Sequence, residues 1–538
     1  MVHTLLLKVW QSTWTRKVLW RCRKATAIVN EESNRQRSDG RIRARGEKET
    51  GILKGHAPGV FVMAIPTGSR PQSKNVIARL ADVEGKSLGP QLDLPHDVGP
   101  PELEVLLNSL LQNEDKLPYT FYIDDRELVG ELGAHLLEHN VSVETILKIV
   151  YQPQAVFRIR PVTRCSATIS GHSEAVLSVS FSPDSTQLAS GSGDTTVRLW
   201  DISTQTPLHT CPGHTNWVLC ISWSPDGALL VSGGMDGDLR LWNPKLGIAV
   251  GGPLKGHKKW ITSIAWEPAH IQVPCRRFVS GSKDGDVRIW DTAVRKCMVT
   301  MTGHTLAVTC VKWCGEGLII SSSRDCSINV WEPSQGKLVR QLKGHGHWVN
   351  TLAISSEFVL RTGPFDHTKK KYKSADEMKE AALQRYETAK GSVPERMVSG
   401  SDDFTMFLWE PTASKQSKAR MTGHQQLVNH VYFSPDGRWI ASASFDKSVR
   451  LWDGYSGKFV ATFRGHVGPV YQISWSADCR LLVSASKDST LKVWDMRTRK
   501  LKEDLPGHAD EVFAVDWSPD GEKVASGGKD RVLKLWMH

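Results

Sequence analysis

The feature that most constrains this 538-residue chain is a Gly-His pair that opens each of eight repeated units in its C-terminal two-thirds. Successive pairs are mostly 41–43 residues apart, with one interval of 47 and one of 79. The histidines are His172, His214, His257, His304, His345, His424, His466 and His508. A period of this size indicates one supersecondary unit that is repeated along the chain and buries its apolar faces against its neighbours.

Each Gly-His pair is followed by a serine, an aspartate and a tryptophan. In all eight units the aspartate lies four residues after the serine, and the tryptophan lies six residues after the aspartate. The serines are Ser190, Ser232, Ser280, Ser321, Ser399, Ser442, Ser484 and Ser526. The aspartates are Asp194, Asp236, Asp284, Asp325, Asp403, Asp446, Asp488 and Asp530. The tryptophans are Trp200, Trp242, Trp290, Trp331, Trp409, Trp452, Trp494 and Trp536.

This spacing predicts a fold. Segments such as LASGSGDTTVRLWD indicate a strand, a tight turn that contains the aspartate, and a second strand. A Gly-His pair answered by Trp-Asp at this period is typical of a four-stranded propeller blade. The sequence therefore predicts an all-β, eight-bladed β-propeller over residues 161–538.

The four repeated residues resemble the hydrogen-bonded His–Ser–Asp–Trp network of WD-repeat proteins. In that network the aspartate accepts from the histidine and from turn amides, and the serine bridges to the tryptophan indole. Ser, His and Asp also form hydrolase triads, but a catalytic site needs one copy and this chain has eight. Because the sequence also lacks a phosphate loop, an HExxH motif and a nucleophile elbow, we expect a structural network and not an enzyme.

The two ends of the repeat array predict how the ring closes. The last unit reaches Trp536, at the end of a third strand. We expect the fourth strand of that blade to come from Thr163–Ile169, just before the first Gly-His pair. Such pairing leaves no open sheet edge.

The interval of 79 residues contains an insertion at about residues 356–396. Its segment KKKYKSADEMKEAALQRYETAK predicts a helix with a capping box formed by Ser374 and Glu377, followed by Ala381, Leu383 and Tyr386. Two interpretations remain open: a solvated helical excursion, or an element that contacts a partner.

Residues 75–160 predict a separate small α+β domain. NVIARLAD and SLGPQLDLP read as a strand pair, PPELEVLLNSLL as an amphipathic helix with Pro at its start, and PYTFYIDD and ETILKIVYQP as further strands. This order, with one main helix, predicts a ubiquitin-like β-grasp fold. Since no Gly-Gly tail follows, we expect a docking module and not a conjugated modifier.

Residues 1–74 have a different composition. Residues 1–55 hold 13 Lys and Arg against 5 Asp and Glu, so most of the net charge of +11 lies there. The basic charge is therefore weak evidence that the folded body binds nucleic acid. Three interpretations of this basic segment stay open: a disordered tail, an aberrant predicted start, and a transit peptide. Along the whole sequence, no stretch approaches the roughly 20 apolar residues of a membrane span.

Two positions in each repeat are expected at the rim of one propeller face. The third residue after the repeat histidine is a tryptophan in three units: Trp217, Trp260 and Trp348. The residue before the turn aspartate is basic in four units: Lys283, Arg324, Lys487 and Lys529. Either the tryptophans pack within their blades and the cations are solvated, or the two sets form an aromatic and basic ring that anchors a protein or RNA partner.

From residue 75 onward, the chain closely resembles the Notchless family of ribosome-assembly factors. The resemblance is carried by the small N-terminal domain, the eight repeats and several segments that lie outside the repeat signature. These segments are YQPQAVFRIRPVTRCSATISGH, CPGHTNWVLCISWSPDG, KGHKKWITSIAWEP, LRTGPFDHTKKK, DDFTMFLW and MTGHQQLVNHVYFSPDGRWIASASFD.

The resemblance implies a non-enzymatic adaptor of the pre-60S ribosomal particle in the nucleolus and nucleoplasm. Its ubiquitin-like domain would dock onto the metal-ion-dependent adhesion site of the AAA ATPase midasin. Glu144, in HNVSVETILKIVYQP, matches the family's glutamate that supplies a carboxylate to the partner's Mg²⁺, an ion that prefers oxygen ligands. We expect no cofactor of its own, no membrane contact and no small-molecule substrate. The alternative is a signalling scaffold in the Notch pathway or a ubiquitin-ligase substrate receptor.

Overall fold

The computed structural model describes residues 75–82, 87–111, 118–124, 126–128, 130–139, 146–153 and 158–538. These residues divide into two compact units, with the boundary between Arg158 and Ile159. The basic segment 1–74 and Glu144 lie outside the described residues.

The small unit is an α+β fold built on a mixed sheet. Its elements are β1 (Asn75–Ala81), β2 (Ser87–Pro95), α1 (Pro100–Leu110), β3 (Tyr119–Ile123), β4 (Arg126–Glu127), α2 (Leu132–Glu138) and β5 (Leu147–Pro153). The strand order is β2-β1-β5-β3-β4, and the central strands β1 and β5 run parallel. This is the ubiquitin-like arrangement that the sequence predicts, with the short α2 and β4 as additions to the predicted order.

Local sequence explains the main helix of this unit. Pro100 starts α1, and Glu102 accepts a hydrogen bond from the Gly99 amide at 3.1 Å, which satisfies a free donor at the helix start. Leu103 and Leu107, four residues apart, are buried on one helix face in the same apolar cluster as Phe121 of β3. The helix is therefore held against the sheet by burial of its apolar stripe.

The larger unit contains eight four-stranded antiparallel sheets, which we number as blades 1–8. The strands of each blade are given from the innermost outward. Blade 1 is β7–β10 (Val176–Phe181, Gln187–Ser192, Val197–Asp201, Pro207–Cys211), and blade 2 is β11–β14 (Val218–Trp223, Leu230–Gly234, Leu239–Asn243, Ile248–Ala249). Blade 3 is β15–β18 (Ile261–Trp266, Arg277–Ser282, Val287–Asp291, Lys296–Met301), and blade 4 is β19–β22 (Val308–Trp313, Ile319–Ser323, Ser327–Glu332, Lys337–Lys343). Blades 5–7 are β23–β26 (Val349–Ile354, Met397–Ser401, Met406–Trp409, Ala419–Met421), β27–β30 (Val428–Phe433, Trp439–Ser444, Ser448–Asp453, Phe459–Arg464) and β31–β34 (Val470–Trp475, Leu481–Ser486, Thr490–Asp495, Lys500–Pro506). Blade 8 is β35 (Val512–Trp517), β36 (Lys523–Gly528), β37 (Leu533–Met537) and β6 (Arg164–Ile169). The eight-bladed propeller predicted from the repeats is confirmed.

Blade 8 closes the ring with a strand from the start of the unit. β6 pairs antiparallel with β37, in a register that places Ile169 opposite Leu533 and Arg164 opposite Met537. The chain is also fixed before β6, because the Ile159 amide donates to Asp478 of blade 7 at 2.8 Å and Val162 is fully buried. The predicted closing strand is confirmed.

The insertion of blade 5 forms two helices between β23 and β24: α3 (Glu357–Thr362) and α4 (Ala375–Lys390). At the start of α4, the Glu377 amide donates to Ser374 Oγ at 3.1 Å, while the Glu377 carboxylate accepts from the Lys373 amide. Ser374 therefore caps the helix, but the return contact of the predicted capping box goes to the neighbouring residue. Of the apolar residues singled out in the sequence, Tyr386 is buried and Leu383 is 40% exposed.

Candidate functional site

The repeated quartets are the most regular side-chain arrangement of the propeller. In every blade the histidine Nδ1 lies 2.7–3.0 Å from the turn aspartate, and its Nε2 lies 2.7–2.8 Å from the serine Oγ. The tryptophan Nε1 donates to the same serine at 2.7–2.9 Å. A neutral histidine that donates from Nδ1 and accepts at Nε2 satisfies all three side chains. The structure thus brings together the four residues of each quartet in one hydrogen-bonded network that is repeated in all eight blades.

These networks change the acidity of the turn aspartates. In blade 2, burial favours the neutral carboxyl, but hydrogen bonds from His214 and from two backbone amides lower the pKa of Asp236 to about 2. The same balance of burial against hydrogen bonds holds the pKa of the other seven turn aspartates below its usual range. Each blade therefore holds an ionised carboxylate near neutral pH.

We call the face that carries the Gly-His loops and the Asp turns the upper face, and the opposite face the lower face. On the upper face, the residue before the turn aspartate donates its backbone amide to the carbonyl of the third residue after the histidine in the same blade. The Lys283 amide donates to Trp260 at 2.9 Å, for example, and the Lys487 amide donates to Pro469 at 2.9 Å. The two positions selected from the sequence are thus neighbours in each blade, as blade geometry requires.

Four of the selected residues form one continuous group in blades 3–5, which we call the aromatic-basic patch. Lys283 Nζ lies 3.9 Å from the ring centre of Trp260, and Arg324 Cζ lies 4.1 Å from that of Trp348 in the next blade. Partial burial, followed by the nearby charges of Arg324 and Lys259, lowers the pKa of Lys283. Cations placed over indole rings combine charge with a large flat apolar surface, which suits recognition of a partner.

The other selected residues lie in different surroundings. Lys487 lies 3.5 Å from Glu511, and Lys529 lies 3.1 Å from Asp510, so carboxylates compensate both charges. Trp217 is half-buried in blade 2, and its ring lies close to Gly193 of blade 1. The cations therefore do not form a uniform basic ring: Lys487 and Lys529 lie beside carboxylates, whereas Lys283 and Arg324 lie over indole rings.

The lower face contains a group of charged residues that the sequence did not single out. Arg361 of α3 donates to Asp516 of blade 8 at 2.7 Å, and Glu357 of α3 forms an ion pair with Lys312 of blade 4. Lys369, after α3, lies 3.0 Å from Asp520 of blade 8. The insertion thus links three blades and is not a solvated excursion. The only feature of the sequence that indicated these ion pairs was a charged residue near the end of an apolar strand, at Lys312 and at Asp516.

Between α3 and the innermost strands of blades 1–4 lies a cavity of about 200 Å³, lined by Trp223, Trp266, Trp313, Lys312 and Arg361 among others. Its charged residues belong to the ion pairs of the insertion. Within the described ranges, no group of three or more His, Cys, Asp or Glu side chains is arranged to hold a metal ion. The helices in those ranges are too short or too polar to cross a membrane.

Two family models match this chain. The model "WD domain, G-beta repeat" matches residues 163–201, 205–243, 250–291, 295–332, 415–453, 457–495 and 499–537. These matches correspond to seven blades, and the blade that they omit is blade 5, whose sequence is interrupted by the insertion. The model "NLE (NUC135) domain" matches residues 76–136 of the small unit.

Curated relatives match between 67% and 73% of this chain. "Notchless protein homolog" of Arabidopsis thaliana is 67% identical over 393 residues, which cover 73% of this chain and 83% of that protein. "Protein Notchless" of Drosophila melanogaster is 52% identical over 364 residues, or 67% of this chain and 74% of that protein. "Ribosome assembly protein 4" of Saccharomyces cerevisiae is 51% identical over 399 residues, or 70% of this chain and 78% of that protein.

Among solved structures, the computationally designed Ika8 protein has a TM-score of 0.55 at 25% identity and covers 69% of this chain and 98% of its own. That likeness concerns the fold. Identity above 50% to three proteins, each matched over more than two thirds of its length, is a much stronger relation. This chain belongs to the Notchless family of WD-repeat proteins.

Proposed function

We propose that this protein is a non-enzymatic adaptor in the assembly of the large (60S) ribosomal subunit. The observation that carries the proposal is the identity of 51% to the yeast protein named "Ribosome assembly protein 4", over 78% of that protein's length. The saturated quartets support an adaptor role, because they are used to fix blade geometry and are repeated in every blade. On this proposal the protein works in the nucleolus and nucleoplasm, where the pre-60S particle matures.

The two units take different parts in the proposal. The propeller binds the pre-60S particle through its upper face, with the aromatic-basic patch and Trp217 as anchors. Ribosomal proteins, assembly factors and RNA of the particle supply the surface that is complementary to this face. The small unit docks onto midasin, and Glu144 adds a carboxylate to the Mg²⁺ that midasin holds. The resemblance of the small unit to the family's docking domain supports this second part.

Sedimentation of the tagged protein through a sucrose gradient tests the function. We expect the protein to travel with pre-60S particles, and mass spectrometry of the purified complex to identify midasin. A protein that stays at the top of the gradient, or that copurifies with a ubiquitin ligase or Notch-pathway proteins instead, would contradict the proposal and favour the scaffold alternative.

The upper face is tested by Trp260→Ala and Lys283→Glu in the same gradient. Trp260→Ala removes the indole surface on which Lys283 lies, and Lys283→Glu reverses the charge at that surface. Each variant should therefore shift most of the protein out of the particle fractions. Val339→Ala, an exposed apolar residue on the outer strand of blade 4, is the matched control and should sediment normally. If Trp260→Ala, Lys283→Glu and the double variant Trp217→Ala, Trp260→Ala all sediment like the unaltered protein, the binding surface lies elsewhere.

A further inference from the structure

Blade 6 carries a cationic pocket on the upper rim that belongs to neither the quartets nor the aromatic-basic patch. A cavity of about 320 Å³ is lined by Lys447, Arg450 and Arg464, together with Gln425 and His466. Lys447 lies in the turn, Arg450 on β29 and Arg464 at the end of β30. The pairing of Ser448 with Arg464 sets the three basic side chains around one opening.

None of these three residues forms an ion pair within the described part of the chain. None of them has a carboxylate oxygen within 4.0 Å. Arg450 Nε is buried without a hydrogen-bond acceptor, a feature that it shares with Arg198, Arg240 and Arg288 at the same register of blades 1–3. The one acidic residue lining the pocket is Asp446, whose oxygens already accept from His424, the Gln425 amide and Ser448. Burial lowers the pKa of Arg450; the negative charge of Asp446 opposes this effect, and the positive charge of Arg464 adds to it.

The same register in other blades lacks this combination. Arg288 of blade 3 lies 3.2 Å from Asp286, and Lys492 of blade 7 lies 2.7 Å from Asp504, so each has an anionic partner. Arg198 of blade 1 occupies the position of Arg450, but its neighbours there are Thr195 and Pro212. Three basic side chains without an ion pair around one cavity are thus a property of blade 6 and do not follow from the repeat.

We propose that the pocket of Lys447, Arg450 and Arg464 binds a backbone phosphate of RNA. This inference rests on the proposed function, which brings the propeller against ribosomal RNA. A guanidinium fork matches two phosphate oxygens, and the ammonium of Lys447 adds a third donor. An RNA strand is favoured over an acidic side chain, because its regularly spaced charges also reach the aromatic-basic patch on the same face.

The test is fluorescence anisotropy of a short single-stranded RNA with the purified full-length protein over a salt series. We expect the double variant Arg450→Gln, Arg464→Gln to bind at least about ten-fold more weakly. Its slope of log affinity against log salt should be smaller by about one for each phosphate that the variant no longer neutralises. The double variant Arg198→Gln, Arg240→Gln removes two charges at the register of Arg450 in blades 1 and 2, and should bind like the unaltered protein.

Each remaining outcome overturns the inference. Unchanged affinity and slope in the blade 6 variant would exclude a phosphate at this pocket, and an equal weakening in both double variants would reduce the effect to net charge. Competition by polyglutamate as effective as competition by unlabelled RNA would assign the pocket to acidic peptides. Because Arg464 is exposed, Arg464→Gln alone should leave the fold intact. This single variant should reproduce part of the weakening, which separates loss of binding from misfolding. Sedimentation of the unaltered protein reports separately on the proposed function, so the two can fail independently.

Discussion

At the scale of single residues, the turn aspartate is the centre of each blade's hydrogen bonding. Asp194 accepts from His172, from the Ser173 amide and from both the amide and the hydroxyl of Thr196. Its side chain is only 5% exposed, so water cannot replace it as the acceptor for these donors. The energetic importance of the residue lies in the donors that it satisfies.

Replacing Asp194 by alanine should destabilise the propeller, because a buried histidine and two amides lose their acceptor. We expect the free energy of unfolding to fall by about 1–3 kcal/mol. Urea unfolding followed by tryptophan fluorescence measures the change. Glu380→Ala, on the exposed side of α4, is the control and should unfold at the same urea concentration as the unaltered protein. Coincident unfolding curves for Asp194→Ala and the unaltered protein would contradict the structural role.

The lowered aspartate pKa values predict how stability depends on pH. The folded pKa of Asp236 is about 2, below the value of about 3.9 in an unfolded chain. Its contribution to stability is therefore complete above pH of about 4 and is lost as the pH falls toward the folded value. Since all eight turn aspartates shift in this direction, the melting temperature should fall steeply between about pH 4 and pH 2. Asp236→Asn removes one of the eight titrating carboxyl groups and should make that part of the profile less steep; an unchanged profile would count against this explanation.

At the scale of elements, the insertion of blade 5 acts as a brace across the lower face. The Arg361–Asp516 ion pair joins α3 to blade 8, and the Asp516 side chain is 6% exposed. Removal of one partner from a buried pair leaves the other charge without compensation, which costs more than loss of a surface pair.

Arg361→Ala should therefore lower the free energy of unfolding by about 2–4 kcal/mol. Together with Asp516→Asn and the double variant it forms a double-mutant cycle, whose coupling should be about 0.5–3 kcal/mol. Lys370→Ala breaks the exposed pair with Glu377 in the same insertion and should cost less than about 1 kcal/mol. A coupling of zero in the cycle would show that the brace does not depend on this pair.

The sequence predicted the blades better than it predicted what lies between them. Seven quartets each span 28–34 residues of the chain and are defined by hairpins of regular length, whereas that of blade 5 spans 65 because of the insertion. Helix α1 is defined by Pro100 and its apolar spacing. The partner of Arg361, in contrast, is 155 residues away, and no local pattern specifies such a contact. Glu511, the carboxylate that lies 3.5 Å from Lys487, could have been identified from the sequence. It occupies the same third position after a repeat histidine as Trp260.

At the scale of the whole molecule, the two units should be separable in function. Glu144→Ala should abolish binding to midasin, because an alanine cannot ligate the partner's Mg²⁺, while the propeller continues to sediment with pre-60S particles. Pull-down with midasin and the gradient measure the two activities. Glu127→Ala removes an exposed carboxylate of β4 and should leave both intact. Normal midasin binding by Glu144→Ala in the presence of a chelator would remove this residue from the interface.

Because β6 closes the ring, a mechanical force applied to the small unit acts on the closure of the propeller. The small unit is followed directly by the segment that holds Ile159 and Val162 and then by β6, so a pull on that unit reaches the seam of the ring first. β6 meets β37 at Arg164, the end nearest the pull, where the strand pairing would peel bond by bond. The Ile159–Asp478 hydrogen bond and the burial of Val162 lie ahead of that end, and they must yield before peeling begins. A load strong enough to release them would open the propeller at the blade that the insertion braces.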